Sequence, residues 1–313
     1  MSAERWLFIR FRAIGDVLMA QWPITAVHQA RPTAELWLAT EQGFASGVQC
    51  PGMIHEVYAL PRGRWKKARW SPQTWREQLA AYTRLRAVGF DFGVDFQGHS
   101  KTALLLRLSG AKKRIQTQAT DALSKRLNPL ATLTKVHKVE QYLETIQALG
   151  EFQLPERPLM ANPPPFERSG RGPFVTITTG ASSPDKHIPK ELLTHLCASL
   201  QTQSITPILI GGPQDPSYED LPAESLVGRT SILESYALVR DSLVHVSADT
   251  STGHAAAAYG TRFVTVFQSL RNPPERFRPY SDAGTVLVQP SEDEFLRAVQ
   301  ENLDLSRSMG VSK

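Results

Sequence analysis

Asp16 stands in Arg12-Ala-Ile-Gly-Asp16, directly after a short apolar run, where a carboxylate can meet a substrate at the carboxyl edge of a sheet. An Asp at that place serves equally well as a helix N-cap, one of the best residues for the task. Asp249-Thr250-Ser251-Thr252-Gly253-His254 follows a second apolar run and opens a stretch of small residues, Ala255–Ala258. The start of such a helix offers unpaired N–H groups and the positive end of a dipole, which together favour an anion. A capped helix with no ligand, and His254 as a hydrogen-bonded structural histidine, fit the same residues. Lys186, in Asp185-Lys186-His187, is a cation suited to a phosphate or else a solvated surface lysine. Asp215, in Gly211-Gly-Pro-Gln-Asp215, closes a turn or reaches a ribose.

The most basic stretch is Arg62-Gly-Arg64-Trp65-Lys66-Lys67-Ala-Arg69-Trp70. We read it as a loop whose cations suit phosphates and whose tryptophans, Trp65 and Trp70, lie at an amphipathic edge; a solvated loop with two anchoring tryptophans is the plainer reading. Arg107, Lys112, Lys113 and Arg114 extend the basic edge. There is no P-loop, GxGxxG, HExxH or GxSxG in the chain, and no DxD pair of the kind that holds a metal–diphosphate. A protein cation or a helix N-terminus is then left to stabilise a leaving anion, and neither a metal nor a cofactor is expected.

These residues need elements to hold them. Trp6–Arg10, Leu36–Ala39, Val57–Leu60 and Phe92–Phe96 read as strands, and Val17–His28, Gln73–Val88, Lys101–Leu108 and Val139–Leu149 as helices. After a proline-rich interval the alternation resumes. Strands are expected at Phe174–Thr178, Pro207–Ile210, Leu243–Val246 and Phe263–Phe267, and helices at Lys190–Leu200, Leu233–Val239, Gly253–Tyr259 and Glu292–Asn302. Strands alternating with helices indicate parallel βαβ units. The 313 residues suit two domains, 1–155 and 174–313, joined by a linker at 156–173, with the last helix free to pack back on the first domain. Two doubly wound domains in series leave a cleft at their strand carboxyl ends for a ligand.

Hydrophobic residues at 41% and charged residues at 21% exclude a disordered tail or a collagen-like chain. Two distant cysteines, Cys50 and Cys197, exclude a disulfide framework and suit a reducing compartment. No apolar run approaches the roughly 18 residues of a membrane span, and the N-terminus does not read as a signal peptide, so a cytoplasmic protein is expected. With 35 Lys+Arg against 30 Asp+Glu, the net charge of +5 admits nucleic acid, an anionic membrane face or a phosphorylated substrate.

The ordered set of tags narrows this. Arg12-Ala-Ile-Gly-Asp-Val-Leu-Met, Glu41-Gln-Gly-Phe, Arg64-Trp-Lys-Lys-Ala, Phe90-Asp-Phe-Gly-Val-Asp-Phe-Gln-Gly and His137-Lys-Val-Glu in the first half, with Asp185-Lys-His-Ile-Pro and Asp249-Thr250…His254-Ala-Ala-Ala in the second, resemble glycosyltransferase family 9, the bacterial ADP-heptose:lipopolysaccharide heptosyltransferases, nearest the heptosyltransferase I branch. The resemblance spans roughly residues 6–300. It implies an α/β chain of GT-B architecture, two Rossmann-like doubly wound domains facing a central cleft, the N-terminal one for the acceptor and the C-terminal one for an ADP-sugar. It implies metal-independent, inverting transfer of heptose to the Kdo–lipid A inner core, at the inner face of the cytoplasmic membrane, where the protein sits peripherally.

Matched residue by residue, the resemblance implies that Asp16 is the general base and Lys186 the phosphate-binding lysine. Asp249, Thr250, Ser251, Gly253 and His254 form the nucleotide-sugar motif, and Asp215 contacts the ribose. Arg62, Arg64, Lys66 and Lys67 are assigned to the anionic acceptor. Two places depart from the family pattern: Ser251 replaces the usual Gly, and the loop after Gln118 reads Ala-Thr-Asp121-Ala, where relatives tend to carry an arginine that contacts the acceptor. The other readings are a nucleotide-sugar-binding protein without transfer, or a family 9 transferase with another sugar or acceptor. Nucleic-acid binding has no motif behind it.

Overall fold

The computed structural model describes residues 3–168, 170 and 172–309. The chain divides into two compact units, Met1–Ala161 and Asn162–Lys313, so the division falls inside the proline-rich interval.

In the first unit the strands are β1 (Arg5–Ile9), β2 (Glu35–Glu41), β3 (Ile54–Leu60), β4 (Phe92–Asp95) and β5 (Lys113–Gln116). All their pairings are parallel, in the order β3-β2-β1-β4-β5. The helices are α1 (Ile14–Met19), α2 (Gln21–Ala30), α3 (Ala45–Val48), α4 (Arg62–Lys67), α5 (Pro72–Val88), α6 (Ser100–Leu108), α7 (Ala122–Leu127) and α8 (Lys138–Gln147). The single helix expected over 17–28 is two, α1 and α2. Restarting at Gln21 puts Pro23 in the first turn of α2, where a missing N–H breaks no helical bond. Both faces of β1 are buried, as in a parallel sheet covered on two sides. Trp6 and Phe8 point one way, into a stack with Phe92, Phe96 and Tyr142. Leu7 and Ile9 point the other way, against Trp37, Leu85 and Phe90. Arg10 continues the first of these faces, and its guanidinium lies 5.9 Å from the Tyr142 ring centre.

In the second unit the strands are β6 (Phe174–Thr178), β7 (Thr206–Ile210), the two-residue β8 (Glu224–Ser225), β9 (Val244–Ala248), β10 (Arg262–Phe267) and β11 (Gly284–Val288). They form a parallel sheet in the order β11-β10-β9-β6-β7-β8. Its helices are α9 (Lys190–Thr202), α10 (Ile232–Asp241), α11 (Ser251–Tyr259), α12 (Pro274–Phe277) and α13 (Glu292–Ser308). The last helix, α13, packs on β9, β10, β11 and α9 of its own unit, burying Phe295, Val299 and Leu303. Opposite, the polar side chains Thr176 and His245 meet at 2.9 Å, and burial holds the His245 pKa down at about 3, so the ring is neutral.

The interval expected as a linker is fastened to its neighbours. Leu159 N–H donates to Thr25 Oγ1 at 2.9 Å, and Cys50 Sγ–H donates to the Met160 carbonyl. From Asn162 onward the contacts belong to the second unit, where Arg240 donates to Asn162 Oδ1 and to the Pro163 carbonyl. Cys50 and Cys197 are both buried and free, one in each unit, and burial raises both thiol pKa values, Cys197 to about 11.

Candidate active site

In each sheet the strand order reverses once, and the loops that leave the two strands flanking that point are where open α/β sheets generally bind ligands. In the first unit these strands are β1 and β4, paired with Ile9 opposite Asp95. Asp16 lies in the first turn of α1, one loop beyond β1. Its Oδ2 accepts from the Ala13 N–H at 3.2 Å and meets Arg10 Nη2 at 2.5 Å, while Oδ1 is buried with no hydrogen-bond partner among the described residues. Asp16 therefore caps its own helix with one oxygen and keeps the other in reserve.

Arg10 is buried, and it also donates to the Phe96 carbonyl. Burial opposes its charge, yet Tyr142, Asp16 and Asp95 outweigh burial and hold its pKa above the ordinary arginine value. Asp95 is fully buried. Burial pushes its pKa up to about 6, against the Gly98 and Gln97 N–H groups, the Thr102 hydroxyl and Arg10, which pull it down. Gln97 Oε1 accepts from Phe11 N–H at 3.0 Å, which pins the exit of β1.

The basic stretch expected as a loop forms the helix α4, and its residues divide. Arg62 pairs with Glu41 at 3.4 Å and lies over the Phe11 ring at 4.2 Å, with its pKa lowered mainly by burial. Arg64 makes a two-pronged pair with Glu77 at 2.9 and 2.7 Å. Trp65 belongs to the core, not to an amphipathic edge, with its indole N–H on Glu77. Lys66 and Lys67 are exposed. Asp121 caps α7 through the Ser124 N–H and also accepts from the Ser100 hydroxyl at 2.6 Å, which chiefly holds its pKa well below the carboxylate range.

In the second unit the reversal lies between β6 and β9, and the residues that follow these strands meet. Lys186 Nζ donates to Asp249 Oδ2 at 2.7 Å, with both side chains nearly buried, so Lys186 is not a solvated lysine. Asn272 Nδ2 donates to the same oxygen at 2.8 Å. Thr178, at the end of β6, meets Thr252 at 2.7 Å, and Thr252 meets Thr250 at 3.0 Å. Thr250 occupies the N-cap of α11, but its own side chain makes no capping hydrogen bond. The helix starts at Ser251, two residues before the expected Gly253, so the Ser251 backbone joins its first turn.

Gly253 presses that turn onto the sheet: a Cβ there would lie 2.9 Å from Ser247 Oγ and 3.0 Å from Thr265 Oγ1. His254 is buried in the same turn. Asp215 accepts from Gly212 N–H at 2.7 Å, and its carboxylate fills the space where a Cβ on Gly180 would stand, 1.9 Å from Asp215 Cγ. That close approach holds Asp215 against the loop that leads from β6 to Lys186.

Sequence reasoning missed Arg10, Asp95 and Asn272. Arg10 carried a signal: it sits one residue past β1 on the Phe8 face, and a charge on a buried strand face demands a partner. Asn272 carried none, because its contact with Asp249 spans 23 residues of loop and helix. Among the described residues no three His, Cys, Asp or Glu side chains are grouped so as to hold a metal ion.

Two doubly wound units, one holding a carboxylate with a spare oxygen and the other a buried lysine beside an uncapped helix start, have the α/β layout of the GT-B glycosyltransferases. Residues 78–302 match glycosyltransferase family 9 (heptosyltransferase), and the chain belongs to that family. It is similar to the lipopolysaccharide heptosyltransferase 1 of Escherichia coli (strain K12), with 26% identity over 295 residues, 84% of this chain and 87% of that protein. The lipopolysaccharide heptosyltransferase 1 of Pseudomonas aeruginosa is 23% identical over 292 residues, covering 84% of this chain and 78% of that protein. The solved structure of E. coli heptosyltransferase WaaC with ADP has the same fold: TM-score 0.80, 22% identity, 95% of this chain and 99% of that one. A family 9 glycosyl transferase from Veillonella parvula gives 0.81 at 14% identity, over 97% and 99%.

Proposed function

We propose that this enzyme transfers heptose from ADP-heptose to the Kdo–lipid A inner core of lipopolysaccharide, with inversion and without a metal. The observation that carries the chemistry is Asp16: an aspartate fixed through Oδ2 by Arg10 and Ala13, with Oδ1 unengaged among the described residues. The similarity to lipopolysaccharide heptosyltransferase 1 and to WaaC bound to ADP supports the choice of donor and acceptor.

An acceptor hydroxyl attacks the anomeric carbon as the bond to ADP breaks, and the Asp16 carboxylate takes its proton. Charge grows on the leaving diphosphate. Lys186 and the N–H groups that open α11, at Ser251–Gly253, are the donors placed to receive it. Asp249 and Asn272 hold the lysine in place until then. Thr250 and His254 shape the same turn, and Asp215 is assigned to the ribose. Arg62, Arg64, Lys66 and Lys67 are assigned to the carboxylates and phosphates of the acceptor. Two of these four can act only by trading Glu41 or Glu77 for the ligand. No helix among the described residues is long and apolar enough to cross a membrane, and we assign the enzyme to the cytoplasmic side as a peripheral protein.

The test is direct. ADP-heptose and Kdo–lipid A, incubated with the protein in EDTA, yield a heptosylated lipid of inverted configuration by mass spectrometry and NMR. Release of ADP with no sugar on the lipid would remove the acceptor assignment. Activity lost in EDTA and restored by Mg²⁺ would remove the metal-free step.

A further inference from the structure

We propose that the start of α5 and the turn before it form a docking face for an anionic lipid bilayer, built from Trp70, Trp75 and Leu79 with Arg69 and Arg76. The chain has six tryptophans. Trp6, Trp22, Trp37 and Trp65 are buried. The remaining two, Trp70 at 77% exposure and Trp75 at 61%, lie within five residues of each other, and Leu79 at 67% stands one helical turn beyond Trp75. The buried stripe of α5 is Thr74, Ala81 and Leu85. At 100° per residue, Trp75 and Leu79 project together from a flank well away from that stripe. Packing within the unit therefore does not account for them, and two tryptophans this exposed within five residues are uncommon on a surface that meets only water.

Charge selects the occupant. Between Glu56 and Glu77 the sequence has six Arg and Lys residues and no acid. Arg62 and Arg64 are taken up by Glu41 and Glu77. Lys66, Lys67, Arg69 and Arg76 remain exposed around the tryptophans, and the Arg69 guanidinium lies 5.2 Å from the Trp70 ring centre. Indole rings settle at the headgroup level of a bilayer, apolar body inward and N–H toward water. Cations beside them are drawn to an anionic leaflet, each worth about fivefold in partitioning at low salt. A purely apolar protein partner would leave four cations unpaired, and a solvated nucleic-acid site would not need Leu79.

This inference rests on no sugar chemistry. It names the surface on which the proposed acceptor resides, and it can fail while the transferase reading stands, or stand while that reading fails. The test is co-sedimentation of the full chain with vesicles of phosphatidylcholine alone or mixed with phosphatidylglycerol, without donor or acceptor. The wild type should bind the mixed vesicles and not the neutral ones, and binding should weaken with salt. The triple variant Trp70→Ser/Trp75→Ser/Leu79→Ser should lose roughly tenfold or more at every salt concentration, since the loss is of apolar insertion. The pair Arg69→Gln/Arg76→Gln should lose on the order of 25-fold at low salt, shrinking as charges are screened. All the substituted side chains are solvent-facing, so melting temperature and ADP affinity should stay at wild-type values. Wild-type partitioning by the triple variant would overturn the proposal. So would a wild-type dimer in sedimentation velocity that the triple variant dissociates, which would assign the face to contact between two copies of the chain.

Discussion

At the first switch point the carboxylate rides the helix and the cation ends the strand: Asp16 is in the first turn of α1 and Arg10 follows β1. At the second the carboxylate and the cation both sit in loops, Asp249 after β9 and Lys186 after β6, and the first turn of the helix carries no acid. Both pairs are short, 2.5 and 2.7 Å, and both are nearly buried. The consequence is opposite. The positive end of α1 is spent on its own aspartate, so that site repels an anion and offers a base. The positive end of α11 is uncapped and backed by a lysine, so that site attracts an anion. One fold yields two electrostatic outcomes through the placement of a single carboxylate relative to a helix start.

The sharpest break in this contrast is Asp16→Asn. It should cost about 10²–10⁴ in kcat, the range of a lost general base, and leave ADP affinity within a few-fold. A wild-type rate in the folded variant would reduce Asp16 to a cap. Arg10→Met tests the other half of that pair. Removing one partner of a buried pair costs roughly 3–5 kcal/mol, so the melting temperature should drop and kcat should fall with it. Arg10→Lys should restore most of the stability but less of the rate, because a lysine has no second arm for the Phe96 carbonyl.

In the second unit Lys186→Met should weaken ADP by roughly 10- to 100-fold, the equivalent of about 1.5–3 kcal/mol for a charged hydrogen bond. Lys186→Met/Asp249→Asn, measured by calorimetry and thermal melting, should recover stability without recovering affinity. Recovery of both would mean that the pair is structural. Gly253→Ala drives a methyl against Ser247 and Thr265, and overpacking of this kind costs typically 1–3 kcal/mol. α11 should shift and ADP binding should fall about tenfold, whereas Ser251→Gly, which removes no side-chain hydrogen bond among the described residues, should leave it within about twofold.

The last effect is a pH dependence. The Asp95 pKa is raised from 3.8 to about 6 by burial. Between these values the native chain holds a proton that the unfolded chain has lost, so the contribution of this group to stability falls as pH rises through the window and is constant above it. Asp95→Asn keeps the acceptor for the Gln97 and Gly98 N–H groups and removes the charge. Its stability relative to wild type should climb between about pH 4 and 6, at no more than about 1.4 kcal/mol per unit, and then level off. Melting curves of both proteins across that range would show it, and a flat difference would mean that Asp95 is not desolvated.

The strands that were legible in the sequence are largely the central ones. β6 shows its observed ends, Phe174–Thr178, because every residue of it is buried and apolar or β-branched. β5, β8 and β11 leave no such signal, and each lies on a sheet edge. β5 is Lys-Arg-Ile-Gln, where solvent on one side admits charges that mask the pattern. α4 was hidden for a related reason: Arg62–Lys67 holds a single buried residue, Trp65, too few to show a helical period. At the sites, chemistry within one tag was legible, Asp16 after β1 and the turn from Asp249 to His254. Pairing between tags was not, since Lys186–Asp249 and Arg10–Asp95 are set by strand order, which local periodicity does not encode.

The two buried thiols turn the chain into its own instrument. Cys50 reports on the first unit and Cys197 on the second, and each is shielded, with its thiol pKa raised. A small alkylating reagent reaches neither until its surroundings open. The rate at which each cysteine is modified in the native protein, resolved by peptide mass, therefore gives the opening free energy of each half separately, with no label to introduce. Saturating ADP should slow the reaction of Cys197 and leave that of Cys50 unchanged if the nucleotide is held by the second half alone.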